Sequence, residues 1–264
     1  MIKVLFIGDI CGKPGRQTIK AVLPQLREKY EPDLVIADIE NLAHGRGATV
    51  KTVDEIMSYG IDFMTAGNHI WRRRDFETLL SGEYPVIRPI NYPDDIPGKG
   101  YEVIDLGVKG KLLVAIVLGR AFFPNENCTS DMLRPLDKML NDLKEEEITA
   151  SMIEVHAETT SEKIASAIYF DGRVSAVVGT HTHVPTADER VLSKGTGFIS
   201  DVGMVGPMNS SLWVKPEIII QQMKYPYAPA YDIQEDGKCR FDAVILHLEN
   251  PGFCSKIQRV NKVL

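Results

Sequence analysis

His181 and His183 stand two apart in VVGTHTHVPTADER, after an apolar run and before a proline. On an extended segment, residues i and i+2 face the same side. Two imidazoles crowded at a buried strand end call for a metal ion more than for any other neighbour. Other ligand-type residues stand in the same relation to apolar runs. Asp9 follows KVLFIG, Glu40 and Asn41 follow DLVIADI, Asn68 and His69 follow IDFMTAG, and His156 follows ASMIEV. Taken singly, each has a plainer reading: Asp9 as a cap, Glu40–Asn41 as turn polarity, Asn68 as half of a turn pair, His156 as a satisfied core histidine. The joint placement at strand ends is what decides.

The donor types suit manganese, iron or zinc better than calcium or magnesium alone. Asp9, Glu40, Asn68, His156, His181 and His183 are too many for one tetrahedral zinc. They fit two ions sharing a carboxylate, a pairing that recurs in phosphatases and nucleases. Two divalent ions set against Asp9 and Glu40 leave a local charge of about +2. Such a site wants an anionic substrate, and phosphoryl transfer is the reaction that uses it. In that scheme a water bridging the ions attacks phosphorus as hydroxide.

The elements that must position these residues follow a repeating rhythm. KVLFIG (Lys3–Gly8), DLVIADI (Asp33–Ile39) and IDFMTAG (Ile61–Gly67) read as strands buried on both faces. GRQTIKAVLPQLREKY and TVKTVDEIMSYG read as the helices between them, the second stopped by Gly60. Pro24 is expected to kink or divide the first helix. YEVIDL and KLLVAIVL read as strands joined at VKGK, and SDMLRPLDKMLNDLKEEE as a helix broken by Pro135. ASMIEVH, VSAVVGT and GTGFISDVG read as further strands. Thr159 and Glu162 form a capping-box pattern ahead of SEKIASAIYF. FDAVILHLENPGFCSKIQRV favours antiparallel strands. The expectation is a single α/β domain, residues 1–264, with a parallel core. In such sheets ligands bind beyond the carboxyl ends of the strands.

A net charge of −6 over 264 residues excludes a broad nucleic-acid surface. No apolar run reaches the roughly 18–20 residues of a membrane span. Cys11, Cys128, Cys239 and Cys254 form no CxxC. With no signal peptide evident, a cytoplasmic setting with free thiols is expected.

IGDICGKPGR, IENLAHGRG, TAGNHIW, VHAETTSEK, DGRVSAVVGTHTHVPTAD and DVGMVGP together resemble the calcineurin-like metallophosphoesterases, and more closely their YmdB-type bacterial phosphodiesterase branch. The resemblance runs almost end to end. It implies a four-layer α/β/β/α sandwich, a binuclear iron or manganese centre, a cyclic-nucleotide substrate (2',3' or 3',5') and a homo-oligomer. At the matching positions, one metal takes Asp9, Glu40, Asn41 and His183. The other takes Glu40, Asn68, His156 and His181, with Glu40 as the bridge and His69 as the general acid. Cys11 stands where most of the superfamily has histidine, and Glu40 where it has aspartate; the branch shares both departures. Ile70, Trp71 and Arg72 follow GNH, so no adjacent acid orients His69. A phosphomonoesterase and a metal-bound scaffold of little turnover are the competing readings. Arg46 and Arg120 are candidate phosphate contacts, with a surface arginine the plainer reading of each. His44 is a candidate for the pocket wall, Cys11 reads as a buried thiol, and His247 as structural.

Overall fold

The computed structural model describes residues 1–123, 129–227 and 229–264; Cys128 lies outside the described residues. The chain first lays down β1 (Ile2–Ile7), β2 (Asp9–Ile10), β3 (Leu34–Asp38), β4 (Phe63–Thr65) and β5 (Val86–Ile87). It then builds a second sheet from β6 (Tyr101–Asp105), β7 (Lys111–Leu118), β8 (Ile148–His156), β9 (Ala176–Thr180), β10 (Arg190–Val191) and β11 (Gly197–Ile199). Finally it returns to the first sheet with β12 (Met204–Pro207), β13 (Cys239–Asn250) and β14 (Phe253–Val263). The first sheet has the order β2-β12-β13-β1-β3-β4-β5, with β14 folded back on β13; the second has β10-β11-β9-β8-β7-β6. β1, β3, β4 and β5 run parallel, as do β7, β8, β9 and β11. The C-terminal strands are antiparallel, as their sequence suggests.

The near-continuous apolar runs are explained by burial on both faces. Ile2, Val4 and Phe6 meet Leu112, Val114 and Ile116 between the sheets. Leu5 and Ile7 turn outward onto Ile19, Leu23 and Leu26 of α1 (Gly12–Tyr30), with α2 (Val50–Ser58) beside it. A short α3 (Phe76–Leu79) follows. On the far side, Leu113, Ala115 and Val117 pack on α4 (Arg134–Asp142) and α5 (Thr160–Phe170). The last helix, α6 (Pro216–Lys224), lies with Trp213 and Ile233 beside β12. The result is the α/β/β/α sandwich.

Three local expectations need correction. Pro24 lies inside α1, which runs through it undivided. Its missing N–H orphans the Lys20 carbonyl, and both residues are on the exposed face, where water takes over. Pro135 does not break α4; it sits in the first turn, where a backbone N–H has no partner to lose. Thr159 does cap α5, but without a box. Its hydroxyl donates to Glu162 (2.7 Å), whose other oxygen accepts the backbone N–H groups of Arg120 and Ala121. Glu162 therefore ties the exit of β7 to α5. The reciprocal box forms at Thr49 and Thr52, ahead of α2.

Register fixes where the site lies. Leu118, His156 and Thr180 are aligned across β7, β8 and β9. The carboxyl ends of both sheets therefore open on one edge. Among the described residues, no helix is long and apolar enough to cross a membrane.

Candidate metal centre

Every one of the seven proposed ligands reaches this edge. β1 and β2 deliver Asp9, β3 delivers Glu40 and Asn41, and the turn after β4 delivers Asn68 and His69. The second sheet delivers His156, the last residue of β8, and His181 and His183 just past β9. Both of the latter histidines hold left-handed backbone, φ 94° and 64°, so THTH is a curled segment rather than the extended one the sequence suggested. Conformations of this kind persist only where the surroundings hold them.

Asp201 provides that hold. Its Oδ2 accepts the N–H (3.2 Å) and the hydroxyl (2.8 Å) of Thr182, between the two histidines. The same oxygen accepts from Lys163 Nζ (2.7 Å), a lysine fully buried against Gly179. Breaking a buried pair strands one charge. Lys163→Met is therefore expected to cost about 3–5 kcal/mol in urea unfolding; a loss under about 1 kcal/mol would mean that water reaches Asp201.

The donors fall into two groups. In the first, Asn41 Nδ2 lies 3.2 Å from Asp9 Oδ1 and 3.1 Å from His183 Nε2, with His183 Nε2 3.5 Å from Asp9. In the second, His156 Nε2 lies 3.1 Å from His181 Nδ1 and 3.3 Å from Glu40 Oε2. Glu40 touches both groups, since its Oε1 accepts from Asn41 Nδ2 (3.3 Å). His181 and His183 thus face different groups. The Asn41 amide presents its nitrogen to Asp9 and Glu40. To hold a cation it must turn over, presenting Oδ1 instead.

The imidazole tautomers are set by what lies behind them. Thr180 Oγ1 donates to Glu154 (2.6 Å) and so accepts from His156 Nδ1 (2.9 Å). Asp38 Oδ2 lies 3.1 Å from the same nitrogen. Nε2 of His156 is thereby aimed at Glu40 and His181. His181 Nε2 faces Glu158 (3.2 Å), which leaves Nδ1 for the cluster. Metal-ligating histidines are oriented in this way by carboxylates behind them.

Electrostatics points the same way. Asp9, Asp38, Glu40 and Glu154 are all fully buried. Burial alone would raise Glu40, but His156 and His69 hold it well below the carboxylate range. Asp9 is likewise lowered, His183 outweighing its burial. Burial, with Asp9 and Glu154 nearby, pushes Asp38 well up. His156 and His183 are raised well above the usual imidazole value, burial being overcome for His156 chiefly by Glu40 and for His183 by Cys11 and Asp9. Burial and His156 push His181 down to about 3, so it is a neutral donor. An entering cation must displace the protons on the other two.

Three observations show that a cation fits. Asn68 Oδ1 is buried without a hydrogen-bond partner. His156 Nε2 and His181 Nδ1 converge to 3.1 Å beside Glu40. A Cβ on Gly67 would stand 2.4 Å from both Glu40 Oε2 and His156 Nε2. Glu40, His156 and His181 together can hold an ion, and Asp9, Asp38 and His156 form a second such group. Gly67→Ala is expected to weaken Mn²⁺ binding at least roughly tenfold by calorimetry, with the circular dichroism unchanged; equal affinity would show that the space is not used.

His69 is held at one edge. Its backbone N–H donates to Glu40 Oε2 (3.0 Å), and its Nδ1 lies 2.9 Å from Asn41 Oδ1 and 3.2 Å from Glu40 Oε1. Asn41 and Glu40 therefore do the orienting that no residue after GNH could do. Cys11 is buried, with Sγ 3.7 Å from His183 Nδ1. Arg120 is exposed and outside the cluster, and His247 pairs across β13 with Lys3 of β1. Asp38, Glu154 and Glu158 were not singled out from sequence. The first two carried a signal nonetheless: a carboxylate inside a doubly buried strand needs a partner.

Comparison with known proteins gives a consistent picture. A family model described as YmdB-like protein matches residues 5–260. A 2',3'-cyclic-nucleotide 2'-phosphodiesterase of Bacillus subtilis is 38% identical, over 100% of this chain and 97% of its own. A hypothetical protein from Thermus thermophilus superposes with TM-score 0.90 at 38% identity, covering 99% of both chains. A novel phosphatase of Mycoplasma pneumoniae superposes with TM-score 0.91 at 31% identity, over 99% of this chain and 93% of that one.

Proposed function

The chain belongs to the YmdB-like protein family, and from this we propose that it is a metal-dependent phosphodiesterase of small diesters, 2',3'-cyclic nucleotides first among them. We assign one divalent ion to Asp9, Glu40, Asn41 and His183. A second goes to Glu40, Asn68, His156 and His181, with iron or manganese as the occupants. The single observation that carries the reading is the approach of His156 Nε2 and His181 Nδ1, 3.1 Å apart beside Glu40, each with its other nitrogen already engaged. Bound there, divalent ions supply charge against the diester anion and a water of lowered pKa.

The chain's own residues supply the rest. Glu40 spans the two donor groups and fixes their separation. Asp38, Glu154 and Thr180 keep the His156 lone pair directed inward. Glu40 Oε1 engages His69 through Nδ1, which leaves Nε2 to hold a proton for the leaving oxygen. An imidazole is suited to that transfer near neutrality.

The testing experiment is hydrolysis by Mn²⁺-loaded protein of bis-p-nitrophenyl phosphate, p-nitrophenyl phosphate, and 2',3'- and 3',5'-cyclic AMP. Metal-dependent turnover with the diesters ahead of the monoester is expected. The reverse order makes the protein a phosphomonoesterase. Two metals per chain by elemental analysis without turnover would leave the scaffold reading.

A further inference from the structure

One cavity is lined by segments that also run to the metal centre. It has a volume of about 440 Å³ and is lined by His44, Arg46, Arg73, Gln222, Trp213 and Tyr231, among others. The chain carries a net charge of −6, yet none of these lining residues is a carboxylate and three are basic. By contrast, the larger cavity of about 620 Å³ beside α4 mixes Arg134 and Lys138 with Asp94, Asp131 and Asp142.

The two guanidiniums are placed differently. Arg73 is anchored, Nε donating to the Arg46 carbonyl (3.0 Å) and Nη2 to that of Ala43 (2.9 Å). Arg46 lies over the Tyr231 ring at 4.8 Å, exposed. Neither has a carboxylate partner among the described residues. Trp213 meets Tyr231 edge-on, centroids 6.1 Å apart. The loop is shaped to this wall. His44 holds φ 55°, and a Cβ on Gly45 would stand 2.5 Å from Trp213.

The same two segments carry the metal centre. His44 is three residues from Asn41, so their Cα atoms lie within about 11 Å. Arg73 is four residues from His69, within about 14 Å. Aromatic faces and guanidiniums without a carboxylate partner are what a base and a phosphate require. We infer that this cavity seats a nucleoside 5'-phosphate unit, with the base against Tyr231 and Trp213 and the 5'-phosphate on Arg46 and Arg73. The ribose then directs a 2',3'-cyclic phosphate toward Glu40 and His69. The identity of the substrate rests on the phosphodiesterase reading; the seat itself does not.

The test has a binding arm and a kinetic arm. With metal-free protein, calorimetry should show 5'-AMP binding roughly tenfold more tightly than adenosine, the gain of a charge-assisted contact. Arg46→Ala should collapse that ratio to about one, and Tyr231→Ala should weaken both ligands. With Mn²⁺-loaded protein, 2',3'-cyclic AMP carrying a 5'-phosphate should exceed the unphosphorylated compound in kcat/KM by a similar ratio, lost in Arg46→Ala. A diribonucleotide ending in the cyclic phosphate should share the preference if an internucleotide phosphate takes the same seat. A ratio near one in the wild type, or one that survives Arg46→Ala, overturns the inference. A protein that discriminates AMP from adenosine but cleaves no diester removes the phosphodiesterase reading and leaves the seat. One that cleaves both cyclic substrates equally does the opposite.

Discussion

Glu40→Gln is expected to lower Mn²⁺-dependent cleavage of bis-p-nitrophenyl phosphate by at least roughly 10²–10³-fold and to reduce the metal content per chain. The size follows from how many groups converge on one carboxylate. Glu40 Oε1 meets Asn41 and His69, while Oε2 meets His156 and the His69 backbone N–H. Glutamine keeps the volume but removes the charge. It also turns an N–H₂ toward a donor, the His69 backbone N–H at one position or Asn41 Nδ2 at the other. The side chain is fully buried, so water cannot substitute. Elemental analysis beside the rate assay separates lost metal from lost chemistry. A variant that keeps both its ions and its rate to within about threefold would show that Glu40 is not shared.

His69→Ala should separate substrates by their leaving groups. With 2',3'-cyclic AMP the departing ribose oxygen is strongly basic, and loss of a proton donor should cost about 10²–10⁴-fold in kcat. With bis-p-nitrophenyl phosphate the departing phenolate is stable, and the loss should stay within about tenfold. His69 is partly exposed at the edge of the site, unlike the buried ligands, so its removal opens no core cavity. Equal losses on the two substrates would place its role in holding Asn41 and Glu40 rather than in moving a proton. A thermal unfolding curve matching the wild type would complete the comparison.

The placement of these residues at strand ends was legible because apolar runs and polar ends are local patterns. KVLFIG and VSAVVGT are recognisable as buried strands, and the residue after such a strand is a natural place to look. All seven proposed ligands and His69 do meet at one edge. What lay outside sequence reach depends on tertiary contact. Asp38 and Glu154 sit within strands and looked like interruptions, whereas their task is to face His156 from behind. The curl at His181 and His183 arises from Asp201, about twenty residues on, and Lys163, about twenty back; no local pattern encodes it. Pro24 and Pro135 misled for a related reason. A proline's effect depends on whether its orphaned carbonyl is wet and on whether it falls in a first turn. Glu162 matched a capping motif but found a stronger use across the fold.

The donors are divided between the two sheets: Asp9, Glu40, Asn41 and Asn68 come from one, and His156, His181 and His183 from the other. A cation gripped by both halves is a clasp as well as a chemical tool. It would bind only when the sheets are docked, so mass action would add its binding energy to the docked state, about 4 kcal/mol at a thousandfold excess over Kd. Metal starvation would therefore loosen the seam between the two sheets before it loosened either sheet alone. The residues that perform the chemistry would then also be the fastening of the protein's two halves.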